Sequence, residues 1–146
     1  MECMRITLEN KPDPADVQLI RESLFQFNVS QTGAFDFQEL ALFLRDDRKA
    51  IVGGLVGWTR WKWLHIDNLW LAEPIRNKGY GSDLLAAAEA EAVARGCTLA
   101  DLDTFSFQAL GFYQKRGYEV FGALENIGGQ YTKYFLRKVL GQEGAA

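Results

Sequence analysis

The chain has 146 residues, 48% hydrophobic and 24% charged, with a formal net charge of −3. That is enough for one domain with a real core and too little for two ordinary ones, and the acidic balance argues against nucleic acid, whose phosphate backbone needs a basic face. No run approaches the apolar length of a membrane span, and Met1-Glu2-Cys3-Met4-Arg5 lacks a signal-peptide apolar core, so a cytoplasmic protein with neither membrane nor nucleic-acid partners is expected.

Residues 4–8 are a short strand candidate. Asp13-Pro14 opens a helix: Asp caps it, Pro takes the first helical position and Asp16 falls in the first turn. Val17, Ile20, Leu24 and Phe27 repeat at helical spacing, which predicts one buried face, and 30–34 reads as a loop. Three strand candidates follow at 40–44, 51–59 and 63–71, joined by short charged turns as in an antiparallel meander. Gly53, Gly54 and Gly57 inside the second mark a bulge or the close approach of another backbone.

The pattern then changes. Residues 82–95 read as a helix, with Leu84, Leu85, Ala88 and Ala92 on one stripe and Gly96 as its stop. Residues 98–104 form a strand, and 107–116 a short helix ended by Gly117. Strands at 118–121 and 131–140 close the chain, separated by a loop containing Gly122, Gly128 and Gly129. Residues 141–146 are expected to fray. The fold class is therefore α/β: one mixed sheet of about six or seven strands, an antiparallel N-terminal meander plus a β-α-β crossover, with helices on both faces, forming a single domain over 1–146.

The most informative segment is Arg76-Asn77-Lys78-Gly79-Tyr80-Gly81-Ser82, between the third strand and the alanine-rich helix. The first turn of a helix leaves backbone N–H groups unpartnered, and its dipole adds partial positive charge there. Gly79 and Gly81 let the main chain approach an anion and adopt positive φ, while Arg76 and Lys78 add full charges. The segment reads as a pyrophosphate cradle. A Walker loop is excluded because no Gly-Lys-Ser/Thr follows. A dinucleotide loop finds its first two glycines and an acid, Asp101, about twenty residues on, but Leu84 stands where its third glycine belongs.

With these residues the chain resembles the GNAT superfamily of N-acetyltransferases, in particular a small, functionally undefined subgroup. Residues 76–81 fit its pyrophosphate motif Arg/Gln-x-x-Gly-x-Gly/Ala, and Ala109-Leu110-Gly111-Phe112-Tyr113-Gln114-Lys115-Arg116-Gly117-Tyr118 fits its second signature, Ala-x-x-Phe-Tyr-x-x-x-Gly-Phe/Tyr. The family often has Asn three residues before that Ala; Ser106 stands there, with Gln108 as the candidate substitute. The resemblance implies acetyl-CoA as co-substrate and direct transfer of an acetyl group to a primary amine of a small molecule or protein. It also implies that the strand before the loop is splayed from the next parallel strand. Pantetheine then bonds the main chain at Leu69, Trp70 and Leu71, and residues Arg76, Asn77, Lys78, Gly79, Tyr80, Gly81 and Ser82 hold the diphosphate. The alternative of another class is an acyl-CoA-binding regulatory or interaction module of the same fold without turnover.

Such a transfer needs a base for the ammonium, a donor for the oxyanion and a proton for the departing thiolate. The resemblance assigns the thiolate's proton to Tyr113, which otherwise reads as an aromatic packing helix on sheet. Alternation puts His65 and Asp67 on one strand face, and both are base candidates, with a water chain as the alternative. Trp63 shares that face, and the loop 122–129 is a candidate cover for the acceptor pocket. Cys3 and Cys97 lack metal-ligand or redox spacing, and His65 is the lone histidine, so no metal is expected. Tryptophans dense on neighbouring strands make a homodimer unsurprising.

Overall fold

A computed structural model of the chain describes residues 2–33 and 36–141. Of the 141–146 tail expected to fray, 142–146 lie outside the described residues, as does Ala34 of the loop expected at 30–34. The chain divides into two compact units, Met1–Phe35 and Asp36–Ala146.

The first unit holds one helix, α1 (Pro14–Thr32). Asp13 caps it by accepting the Ala15 N–H at 2.9 Å, and Gly33, at φ 80°, ends it by donating to the Val29 carbonyl. Three expectations need correction. Residues 4–8 are not a strand; no ladder partner pairs with them among the described residues. The helix runs past Ser30 to Thr32 and stops only at Gly33, and the Ser30 and Thr32 hydroxyls donate back to the Phe27 and Asn28 carbonyls within it. The stripe Val17, Ile20, Leu24 and Phe27 is not buried, and no residue of α1 is. A single helix has no second element within its own unit to bury a face against.

The second unit is a six-stranded sheet in the order β1-β2-β3-β4-β6-β5. Its strands are β1 (Gln38–Arg45), β2 (Ile51–Arg60), β3 (Trp63–Leu71), β4 (Leu99–Phe105), β5 (Glu119–Ile127) and β6 (Tyr131–Val139). β1, β2 and β3 form the expected antiparallel meander, β3 and β4 are parallel, and β6 lies antiparallel to both β4 and β5. The β3–β4 crossover is α2 (Tyr80–Ala94), which buries Leu84, Leu85, Ala88 and Ala92 against Leu55, Leu64, Ile66, Leu102 and Leu136 of the sheet. At its far end Arg95 donates to the Gln38 and Glu39 carbonyls and the Thr59 hydroxyl, fastening the helix to β1 and β2.

The segment 107–116 contributes only the short helix α3 (Leu110–Gln114). The expected loop from Gly122 is largely strand: β5 runs to Ile127, with the reversal at Gly128 and Gly129, so no such loop covers a pocket. Bulges let β5 keep pairing with β6 through this glycine-containing stretch.

Candidate active site

Two irregularities of β3 build the site. Opposite β2, Val56 pairs with Asn68 and Gly57 with Ile66, so Asp67 is an extra residue in a bulge. Gly57 permits it: a Cβ there would overlap the His65 carbonyl. Beside β4, only Trp63, Leu64 and His65 have ladder partners, and pairing stops where the bulge begins. Between the diverging strands opens a cleft of about 690 Å³, lined by Ile66 to Leu71 of β3, Leu102 to Phe105 of β4, and Arg76, Asn77, Gln108, Ala109 and Tyr113.

One end of the cleft is the turn before α2. Asn77 and Gly79 have φ of 61° and 91°, the alternation that turns successive amides to one side. Gly79 is the N-cap and supplies no side-chain bond to the first turn. The helix starts at Tyr80, two residues earlier than expected, so Gly81 lies inside it, without positive φ. Gly81 serves packing: a Cβ there would stand 3.3 Å from the Phe112 ring. Arg76 donates its Nε–H to the Leu71 carbonyl at 2.9 Å, tying the strand end to the turn.

Tyr113 is buried on α3 at the wall of the cleft, its ring edge-on to Phe112 and Tyr118. Burial pushes its phenol up, so it stays protonated at any working pH. Gln108 accepts the Phe105 N–H at 2.8 Å and also lines the cleft, whereas Ser106 exchanges bonds with the Thr132 main chain in an extension of the sheet.

The other end carries acid. Asp67 lines the cleft and is about half exposed. His65 stands behind it rather than in the lining, with Nε2 3.2 Å from Asp67 Oδ1 and Nδ1 2.8 Å from Asp101 Oδ1. The same Asp101 oxygen accepts the Trp63 indole N–H. Trp58 stacks obliquely on the imidazole at 5.0 Å, and Trp63 is edge-on to it at 6.0 Å. The Asp101 hydrogen bond holds His65 above its ordinary value of 6.5, against burial, and the charges of Asp101, Asp67 and Asp103 add to the rise.

The cleft thus gathers Asp67, Leu69, Trp70, Leu71, Arg76, Asn77 and Tyr113. Gly81 lines a smaller cavity that shares Leu69, Leu71, Arg76 and Tyr113 with it, while Ser82 opens onto a separate groove with Arg116. Lys78, Gly79 and Tyr80 are exposed and outside the cleft lining. The side chains of Leu69 and Leu71 pack against the core, leaving their main chain to face the gap. No motif in the sequence marks Asp101 and Asp103 as neighbours of this cleft, though alternation along β4 sets them on one face with Phe105.

The GNAT acetyltransferase family model matches residues 3–118. The chain belongs to that family. It is 33% identical to an acetyltransferase of Agrobacterium fabrum over 92% of this chain and 98% of that one. It is 40% identical to a blasticidin-S acetyltransferase of Streptomyces morookaense over 68% of this chain and 74% of that one. The crystal structure of an acetyltransferase from Bacillus cereus superposes with a TM-score of 0.83 at 35% identity, covering 92% of this chain and 98% of that one. Family membership agrees with the single mixed sheet, its parallel crossover and the gap between β3 and β4.

Proposed function

We propose that this GNAT family member transfers an acetyl group from acetyl-CoA to the primary amine of a small, positively charged molecule by direct attack. One observation carries the reading: the cleft runs unbroken from the turn at Asn77, past the unpaired edge of β3, to Asp67 and Tyr113. An extended chain fits as an added strand beside Leu69, Trp70 and Leu71, where main-chain groups lack a β4 partner. Its diphosphate meets the amides of the Asn77–Gly79 turn and the uncapped start of α2, with Lys78 nearby.

The residues then divide the work. Asp67 and Asp103 draw an ammonium ion to the cleft. Tyr113, held protonated by burial, donates its hydrogen to the departing thiolate. Holding donor and amine along one channel supplies the proximity term. The cationic acceptor is supported by the carboxylates on this face and by the small-molecule substrate in the name of the Streptomyces relative.

The test is calorimetry with acetyl-CoA together with thiol release over a panel of amines. Saturable binding and release with a cationic amine are expected. Binding without release by any amine points to a non-catalytic acyl-CoA module, and no binding at millimolar ligand removes the reading altogether.

A further inference from the structure

A carboxylate is a weak base for an ammonium ion. On ordinary values, moving a proton from an ammonium ion to a carboxylate runs uphill by roughly six decades, against roughly four for an imidazole. Asp67 reaches the cleft where His65 does not, yet it has the imidazole directly behind it, and the imidazole is held from its far side. Asp101, as a carboxylate, only accepts, so His65 Nδ1 carries the hydrogen between them. Nε2, facing Asp67, is the nitrogen left to gain or lose a proton.

We propose that Asp67 and His65 act together as the base of the acetyl transfer, with Asp101 and Trp63 as positioning residues that fix the tautomer and aim Nε2 at Asp67. This rests on the function proposed above. With His65 neutral, a proton of the bound ammonium passes to Asp67 and on to Nε2, leaving the nitrogen lone pair free. The C–N bond forms at the thioester carbonyl, the C–S bond breaks, and the thiolate takes the Tyr113 proton. The amine gives up two protons in all. One leaves from Nε2 through Asp67 to solvent, and the other replaces the proton Tyr113 gave away.

The charged groups around the ring are consistent with this role. Asp67 faces it from β3, and Asp101 and Asp103 from β4. On the β2 side Trp58 covers it, with the Arg60 guanidinium over Trp58 and Trp63. On β6, Lys133 lies 3.6 Å from Asp103, and Arg137, opposite Asp101 in register, is bonded to Glu119. The nearest groups are acidic, so the imidazole holds a proton more firmly than in water, and transfer should rise with pH as that proton leaves.

His65 is the only histidine among the 146 residues, so its ring can be titrated by NMR in the intact chain without ambiguity. In the wild type we expect a titration above the ordinary value, an Nδ1–H tautomer once neutral, and an acidic limb of kcat/KM that follows the same titration. In Asp101→Asn both should move to lower pH together, and the plateau of kcat should drop by about 10- to 100-fold. Trp63→Phe, which keeps the ring and removes its N–H, should move both by less. A ring titration unchanged by Asp101→Asn overturns the clamp. A rate limb that stays put while the ring titration moves overturns His65 as part of the base. Failure of the functional reading looks different: no amine is acetylated at any pH, which removes the catalytic role along with the enzyme.

Discussion

The two ends of the cleft are built from different materials. At the turn before α2 the chemistry belongs to the main chain: two left-handed residues, Asn77 and Gly79, and a helix start with no capping side chain. At the bulge of β3 it belongs to side chains from separate strands, with His65 meeting Asp101 across a separation of 36 residues. The first end depends on backbone shape and is indifferent to most side chains. The second depends on single atoms, such as the Asp101 oxygen shared by an indole and an imidazole.

Substitutions can break this contrast in order of severity. Gly57→Ala should damage most, because a Cβ there strikes the main chain at His65 and the bulge that frees Asp67 cannot close. A loss of about 3 kcal/mol, read by urea unfolding, is expected, together with loss of turnover. Tyr113→Phe should leave acetyl-CoA affinity intact by calorimetry while kcat falls about 100-fold. Gly79→Asp tests the main-chain end. Nothing lies within 4 Å of a Cβ at Gly79, so the side chain fits, but the residue becomes strained at φ +91° and puts an anion at the cradle. Acetyl-CoA affinity should weaken about 30-fold, and the ligand-induced rise in melting temperature should shrink accordingly.

The smallest effect sharpens the other end. The folded-state pKa of His65 is raised, so the stability it contributes is full below the ordinary 6.5 and is lost as pH rises through the folded value. Urea unfolding between pH 5.5 and 9 should show this decline in the wild type and a flatter profile in Asp101→Asn.

The same contrast explains what could be read from the residues alone. The turn was legible because its spacing is local: glycines, flanking cations and the following stripe Leu84, Leu85, Ala88 and Ala92 all lie within one strand–loop–helix unit. The meander and the β-α-β crossover were legible for the same reason, since short turns and one apolar helix face mark them out. The failures are equally physical. Residues 4–8 look extended but have no ladder partner among the described residues, and pairing is a tertiary fact. Gly122 reads as a loop residue, yet a bulge keeps it in β5. Alternation joins His65 to Asp67 but says nothing of which β4 carboxylate stands opposite, so in the sequence Asp101 reads only as a ribose ligand. In the sequence Gly81 reads as a source of backbone freedom, whereas contact with Phe112, thirty-one positions later, governs it.

The rims of the sheet behave unlike its middle. β5, at one margin, loses register between Val120 and Gly122 and again between Leu124 and Ile127, and β1, at the other, breaks between Leu44 and Arg45. Kinked margins are poor templates for adding foreign β-structure, which guards a sheet with exposed Phe121 and Leu124 against stacking into aggregates. The vacancy for an extra extended segment is interior instead, flanked on both sides by the protein's own strands. A guest strand entering there would meet walls on two sides, so the place for an added strand and the irregular margins lie in separate parts of one sheet.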